Sequence, residues 1–526
     1  MTTVPLSPRL TPDCLEDIFE YLRDDRSSLL SCLLVNRLWC RLVIHLIWRD
    51  PFFAMDSNEN SLSSIIQTYI SCLPDTSKQI ISKISNTDEN VFIQQKPLFI
   101  YLKYLQVLDF ENLSNALRIW HKKYDKSYDV SIPIFTIPKL IIDFIFKECS
   151  ILTKLNIYIW DKWSIPLTEM NFDSLFNRKN GENVLINLKY FKLTFLAKAK
   201  SEGLQDSHQI IINLFKDMAK CSKNIQFFEV FFRRHHPPKE VDQAVGNLIK
   251  SQKNLRACKI IEYWDPKNPN IYKVLLSNNS LSYLNLSLSY FHQFFVEGLL
   301  ACKSLETLEL LRCPEMPSHL LDFPLKESLS IKYLKVVMNY PASNESLIVL
   351  LRMCNINLRK LYINGVDANI IDAICLNNTR LTHLSLLAQQ QIFDPPQSLS
   401  ALKVLTHLKL ANIQPYIFAE HTLSYFIDSL PSSLQYLYFN FNIDTPSLKI
   451  FLNDCKIPLK VLEFHQSYNQ DDEVFNALIN YKLNQKTCEE ITLCIEYPHT
   501  FSLNALEEAK KHIKIILTAP RNYELW

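Results

Sequence analysis

The sequence predicts an α/β protein in which a short N-terminal helical bundle precedes a long array of strand-and-helix repeats. The first sign is a recurring Φ-x-x-Φ-x-Φ pattern (Φ apolar) from about residue 100 onward, with amphipathic helical stretches between the matches. The second is a set of three short helical patterns within the first fifty residues, each preceded by a capping residue. The third bears on function. Only five glycines occur in 526 residues: Gly181, Gly203, Gly246, Gly298 and Gly365. No two are close enough to build G-x-G-x-x-G, a Walker-A loop or G-x-S-x-G, all of which need glycine where backbone approaches phosphate or turns sharply. Most nucleotide-dependent enzymes are thereby disfavoured.

Composition fits a folded chain with a large core: 48% of residues are apolar and 21% charged. Length alone allows three or four domains at roughly 150 residues each. A net charge of +2 provides no field to draw the chain onto nucleic acid or an anionic membrane. No apolar run approaches the roughly 18 residues of a membrane span, and the first residues lack the pattern of a secretory signal. The fourteen cysteines form no C-x-x-C pair, so they read as buried free thiols and not as zinc ligands. The expected location is cytoplasmic or nuclear, a reducing compartment. A sequon such as Asn285-Leu286-Ser287 would stay unmodified there.

In the N-terminal segment, Thr11 can cap a helix with Pro12 in its first turn, and Asp13 suits the helix dipole. Leu15, Ile18, Phe19 and Leu22 then fall on one face. The stretch Asp24-Asp25-Arg26-Ser27-Ser28 interrupts that pattern and can cap a second helix over residues 29–35. Asn36 can cap a third over residues 37–48, with Trp39, Val43 and Leu46 or Ile47 turned inward. Three helices this short cannot bury so much apolar surface among themselves, which predicts docking to something else.

These residues resemble an F-box. The resemblance rests on Leu10, Pro12, Asp13, Leu15, Ile18, Phe19, Leu22, Leu29, Leu33, Val35, Arg37 and Trp39, with Thr11 in place of the family's first proline and Asp13 in place of its glutamate. The run Ser-Cys-Leu-Leu-Val-Asn-Arg-Leu-Trp-Cys40 is similar to large fungal F-box families. The resemblance implies that residues 1–50 dock a Skp-type adaptor and, through it, a cullin–RING ubiquitin ligase. It assigns the interface to Leu10, Pro12, Leu15, Ile18, Phe19, Leu22, Leu29, Leu33, Val35, Arg37 and Trp39.

Residues 51–100 read as a helical linker that covers the open edge of the first repeat, with loops at 56–61 and 85–90 and a helix over 62–73 stopped by Pro74. The strict leucine triplets are Leu281/Leu284/Leu286, Leu305/Leu308/Leu310, Leu381/Leu384/Leu386 and Leu405/Leu408/Leu410. Looser matches begin at Leu105, Leu152, Leu188, Ile225, Leu255, Ile331, Leu358, Leu434, Leu459 and Cys488. From Leu255 to Cys488 the steps average about 26 residues, within the 20–29 of leucine-rich repeats. The spacings before residue 255 are longer. Helical stretches at 345–353, 368–376, 447–453 and 473–480 complete the rungs.

The array therefore resembles a leucine-rich-repeat solenoid over residues 101–526. The family's Asn or Cys, three residues after the third Φ, appears only as Cys313, Asn339 and Asn442. The resemblance implies an irregular horseshoe with a parallel inner sheet and outer helices. A helix at 503–512 and a strand at 513–517 would cap it near residues 495–526.

Residues between the Φ positions would line the concave face. One column runs Tyr283, Thr307, Tyr333, Lys360, His383, His407, Tyr436, Val461, Glu490; its neighbour runs Asn285, Glu309, Lys335, Tyr362, Ser385, Lys409, Tyr438, Glu463, Thr492. Tyr283, Tyr333, Lys335, Lys360, Tyr362, His383, His407, Lys409, Tyr436 and Tyr438 are the candidate target-binding residues, since tyrosine offers large contact area at small entropic cost. Ordinary cross-strand pairing explains any one of them equally well. His235-His236-Pro237-Pro238 reads as an exposed loop, and Asp471-Asp472-Glu473 as helix N-terminal acidity.

The function these resemblances imply is that of a non-catalytic substrate receptor of a Skp–cullin–F-box ubiquitin ligase, with no cofactor, metal or catalytic residue, a target protein as second partner, and no nucleic acid or membrane. A repeat scaffold without a ligase role, and a small-molecule-sensing receptor on the same fold, remain alternatives.

Overall fold

The computed structural model describes residues 10–53, 59–85, 97–124, 136–159, 172–176, 184–196, 204–232, 238–261, 274–275, 277–288, 294–313, 328–338, 344–388, 399–412, 420–440, 445–466, 472–485, 487–495 and 501–517. The chain divides into two compact units, Met1–Tyr263 and Trp264–Trp526.

The first unit opens with α1 (Pro12–Tyr21), α2 (Arg26–Leu33) and α3 (Arg37–Trp48). Each is capped by a side-chain oxygen: Thr11 accepts from the Cys14 amide, Asp25 from Ser28 and Asn36 from Trp39. Helix α2 starts three residues earlier than the apolar pattern predicts, because Asp25, within the stretch read as capping it, is the cap. The hydroxyl and amide of Ser28 and the hydroxyl of Ser27 all donate to Asp25, holding its pKa down to about 2. Leu15, Phe19, Leu29, Val43, Leu46 and Ile47 make the bundle's own core, with Phe19 edge-on to Trp39 at 5.0 Å.

Next come α4 (Glu59–Cys72) and α5 (Asp75–Ser85). Helix α5 is absent from the sequence reading, because Pro74 reads as a stop. Pro74 also starts a helix: its carbonyl accepts from the amides of Ser77 and Lys78.

The rungs of this unit are β1 (Val107–Asp109), α6 (Phe110–Tyr124), α7 (Thr136–Glu148), β2 (Lys154–Ile159), α8 (Asp173–Phe176), β3 (Tyr190–Phe195), α9 (Leu204–Cys221), β4 (Phe227–Phe232), α10 (Lys239–Ser251) and β5 (Ala257–Ile261). Each strand pairs in parallel with the next in sequence. The long early spacings are thus enlarged rungs: two helices lie between β1 and β2, and α9 alone has 18 residues.

The bundle is stitched to this sheet. At each step from β1 to β5 one carbonyl just before the strand accepts from two consecutive amides of the next rung, as Gln106 does from Thr153 and Lys154. For β1 that carbonyl is Arg49, at the end of α3, accepting from Gln106 and Val107 at 2.9 Å each. At the backbone level the first edge is therefore met by α3. The 51–100 segment contributes instead through side chains: Tyr69 of α4 lies 5.8 Å from the Trp48 ring, and Gln67 of α4 accepts from Trp120 of α6.

The second unit runs β6 (Tyr283–Ser287), α11 (Phe294–Ala301), β7 (Thr307–Cys313), β8 (Tyr333–Met338), α12 (Asn344–Cys354), β9 (Lys360–Val366), α13 (Ala368–Asn377), β10 (His383–Ala388), β11 (His407–Asn412), α14 (Glu420–Ser429), β12 (Tyr436–Asn440), α15 (Thr445–Asp454), β13 (Val461–Gln466), α16 (Glu473–Asn484), β14 (Glu490–Ile495), α17 (Leu503–His512) and β15 (Lys514–Leu517). These ten strands are also parallel and in sequence order. In both units every Φ-x-x-Φ-x-Φ match begins two residues before a strand. The pattern works because the first Φ residue packs beneath the turn and the next two point from the strand into the core.

The helices cover that Φ face. Phe191 and Phe228 stack at 5.7 Å and meet Phe215 of α9. Phe439 and Phe464 stack at 5.6 Å and meet Phe451 of α15 edge-on.

The expected Asn/Cys ladder is sparse, and other side chains take its work. Cys313 is buried with its thiol 3.4 Å from the Leu286 carbonyl; Asn339 and Asn442 lie outside the described residues. Asn364 bonds the Met338 backbone in both directions, accepting from its amide at 2.6 Å and donating to its carbonyl at 2.7 Å. This aim depends on Gly365, which has φ 69° and is skipped in the register between β9 and β10, a bulge that favours glycine. Asn364→Ala is expected to leave both Met338 groups buried without their partner and to cost about 2 kcal/mol in denaturant unfolding.

Candidate functional site

The first candidate surface is the outside of the bundle, and the structure divides the predicted adaptor-binding residues into two kinds. Leu15, Phe19 and Leu29 are buried in the bundle's own core, with Leu22, Leu33 and Trp39 packed half-buried against it. The first three form the module's core and the other three pack against it with part of each side chain still exposed. Leu10, Pro12, Ile18, Val35 and Arg37 are exposed. Sequence reasoning missed four more exposed apolar residues: Tyr21 at 92%, Leu30 at 46%, Leu34 at 88% and Leu38 at 44%.

Spacing explains the division. On α1, Leu15, Phe19 and Leu22 turn inward while Ile18 and Tyr21, three residues apart, lie along the exposed flank, and Leu30 of α2 and its C-cap Leu34 are one turn apart. Both sides are apolar, so a pattern search for one buried stripe finds only the first. Of twenty-one exposed large apolar side chains among the described residues, seven lie between Leu10 and Leu38. Such density is unusual for surface left to water.

The second candidate surface is the sheet face of the second unit opposite the helices. The two predicted columns are register partners strand by strand, from Tyr283 to Glu490 and from Asn285 to Thr492. The candidate target-binding residues stand at neighbouring positions on this face. Tyr362 and Tyr438 are nearly buried and Lys360 is exposed; the others are intermediate.

At its two ends this face is internally paired. Glu309 accepts from the Tyr283 hydroxyl at 2.8 Å and from the Asn285 amide at 2.5 Å, and Glu463 accepts from the Tyr436 hydroxyl at 2.6 Å. Burial first, and then these carboxylates, push both phenols up and keep them protonated.

The middle is different. Strands β8 to β12 contain no Asp or Glu, yet carry Lys335, Lys360, Lys409, His383 and His407. The Lys335 ammonium lies 4.9 Å from the Tyr362 ring centre, and Lys409 lies 5.6 Å from Tyr436 and 5.4 Å from Tyr438. Burial pushes the Tyr362 phenol up to about 12. Among the described residues, no carboxylate lies within ion-pair reach of Lys335 or Lys360.

His383 and His407 stack at 4.1 Å with their planes 8° apart, and Tyr436 continues the stack at 5.4 Å. Their tautomers follow from hydrogen-bond arithmetic. The Thr382 hydroxyl donates to the Arg359 carbonyl and the Thr406 hydroxyl to the Thr382 carbonyl, each at 3.0 Å. Each hydroxyl has one proton, so at the 2.9 Å contact with its neighbouring imidazole it must accept, and Nδ1 carries the hydrogen. In the neutral ring Nε2 is therefore left as the acceptor. Burial, the other imidazole and Lys360 lower the pKa of His383; burial, Lys360 and Lys409 lower that of His407.

Thr382 and Thr406 were not singled out from the sequence. The signal for them was present, since Leu-Thr-His-Leu occurs at 381–384 and again at 405–408.

In the first unit the corresponding face is more self-satisfied. Tyr190 stacks on Phe227 at 4.5 Å beneath Lys154, Lys192 pairs with Glu229 at 3.2 Å, and Asn156 donates to Asp109 at 2.7 Å. His235 and His236 lie outside the described residues, as does Asp471. Asp472 accepts from the Ser502 amide. Among the described residues no cluster of three or more His, Cys, Asp or Glu side chains is arranged to hold a metal ion, and no helix is long and apolar enough to cross a membrane.

The fold and its two surfaces define an α/β repeat protein of leucine-rich-repeat architecture with a three-helix module attached to its first rung. No protein-family model matches the chain, and no curated protein matches it. Among solved structures, a chain from the crystal structure of the yeast Rad7–Elc1 complex aligns over 63% of this chain and 81% of its own length, at 13% identity and a TM-score of 0.35.

Proposed function

We propose that this protein is a non-catalytic substrate receptor of a Skp–cullin–F-box ubiquitin ligase, working in the reducing cytoplasm or nucleus. The observation that supports this reading most is the bundle of α1 to α3, which has a closed core of its own and still leaves Leu34 at 88% and Val35 at 56% exposed. Apolar side chains held out on a capped helical frame suit a partner's groove. In this reading the adaptor covers Ile18, Leu30, Leu34, Val35 and Leu38, and the second unit's sheet face holds a target protein. The chain itself does no chemistry. It raises the effective concentration of target lysines at the ubiquitin-carrying enzyme.

The test is capture of a purified Skp-type adaptor by the full-length chain. A one-to-one complex is expected. The double substitution Leu34→Glu with Leu38→Glu should weaken capture by at least about 100-fold and leave the melting temperature unchanged, because neither side chain is in the core. A wild-type chain that ignores the adaptor, or a double variant that binds it normally, would defeat the proposal.

A further inference from the structure

We infer that the β15 end of the second unit is a self-association surface, on which a second copy of this chain adds its own β15 antiparallel about a two-fold axis. The first and last strands differ at their edges. The edge of β1 is met by the Arg49 carbonyl, whereas β15 pairs with β14 and, among the described residues, with no other strand. An open edge leaves backbone amides and carbonyls ready to pair with another chain. This edge is also apolar. Leu517 stands in register with the buried Ile495, on the core side of the sheet, yet is 52% exposed, because among the described residues no further rung covers it. Ile516 is exposed beside it, as is Leu503 at the start of α17.

Charge selects the occupant. On α17, Leu506 and Ala509 are buried and Ala505 is half-buried, while Leu503, Glu507 and Lys510, at i, i+4 and i+7, form an exposed stripe. Glu508 accepts from Lys511 at 2.6 Å and lies 3.6 Å from His512, and Lys514 pairs with Glu490 at 3.2 Å. Glu507 and Lys510 have no ion-pair partner among the described residues. One acid and one base on the same stripe is a pattern that a two-fold axis matches, since it lays each copy's Glu507 against the other's Lys510.

The strand leads to the same axis independently. Side chains alternate along β15, so antiparallel pairing that keeps core side with core side is centred on a residue and not between two. Centred on Lys514 it would oppose two lysines. Centred on Ile515 it sets Leu517 beside the copy's Ile513, Ile515 beside its own counterpart, and Ile516 along the stem of the copy's Lys514. Ile513 is the one residue between α17 and β15, where the chain turns back from helix to strand, so both elements are measured from it. Ile515 lies about 6.6 Å up the strand at about 3.3 Å per residue. The midpoint of Glu507 and Lys510 lies about 6.8 Å up the helix at about 1.5 Å per residue. A single axis normal to the sheet therefore serves both the strand register and the ion pairs. Centred on Ile516, the axis would meet the helix near Leu506 and part the charges.

The experiment is sedimentation velocity of the full-length chain over a dilution series into the tens of micromolar. Twice the chain mass is expected at the top of the series, falling toward one chain on dilution. Lys510→Glu alone and Glu507→Lys alone each set like charges face to face twice across the axis, and each should raise the dissociation constant at least about tenfold. Glu507→Lys combined with Lys510→Glu exchanges the two charges and should restore association to within a few-fold of wild type. A side chain acting only within its own chain gives no such rescue. Leu517→Asp should weaken association as well, whereas Leu34→Glu with Leu38→Glu, altered at the bundle, should leave it intact. Melting temperatures are measured in parallel and should stay near wild type for the charge variants, since both side chains are exposed. A wild-type chain that stays monomeric throughout, which leaves the edge to some other occupant, would overturn the inference. So would a dimer indifferent to both single reversals, or one that the double reversal fails to restore.

Discussion

Phe19→Ala is expected to unfold the three-helix module and to cost about 3–5 kcal/mol where it can be measured. Phe19 is 1% exposed and sits among Leu15, Leu29, Val43, Leu46 and Ile47, with Trp39 edge-on at 5.0 Å. A bundle of under forty residues has little reserve stability, so loss of its largest core side chain removes most of what holds it. Hydrogen exchange should show early loss of protection in α1 to α3 while strands β6 to β15 keep theirs. Adaptor capture should fall too, for a different reason than in the Leu34 and Leu38 variant: there the module persists without its contact surface, whereas here the frame itself is lost. A module that keeps its protection after Phe19→Ala would show that its core lies elsewhere.

The second large effect is expected within the repeats. Phe439 on β12 is 5% exposed, stacked on Phe464 at 5.6 Å and edge-on to Phe426 and Phe451 at 5.8 and 5.2 Å. It bridges three consecutive rungs and two helices. Truncation to Ala should cost about 3–5 kcal/mol through the cavity and the lost ring contacts. Because each rung touches chiefly its neighbours, the loss should be local, opening β11 to β13 before β6 to β8. Phe439→Leu, which keeps most of the volume, should lose less than half as much. A uniform fall in protection across the unit would show that these rungs unfold as one cooperative block.

Much of the repeat architecture was legible in the sequence because burial recurs at fixed positions of every rung. Leu281, Leu284 and Leu286 are each fully buried, as are Leu405 and Leu408. The bundle's caps were legible for a local reason: Thr11 and Asn36 act on amides three residues away, as does Asp25 within the stretch read as capping α2, whereas Ser502, which caps α17, was not singled out. Helix α5 was not, because Pro74 ends one helix and begins another. Asn364 was not either, since its role depends on a bulge at Gly365 that brings its amide to the neighbouring strand's Met338.

The candidate surfaces divide along the same line. By itself the sequence determined the strand positions, the capped bundle and the two columns of side chains that stand in register, since each follows from spacing along one chain. Only the tertiary structure decided which apolar side of α1 and α2 is core and which faces out, because both sides carry leucines and isoleucines and only packing against α3 tells them apart. It also decided the protonation geometry of His383 and His407. Their hydrogens are placed by threonine hydroxyls whose own protons are committed to carbonyls of the preceding rung, a constraint that exists only once the strands lie side by side.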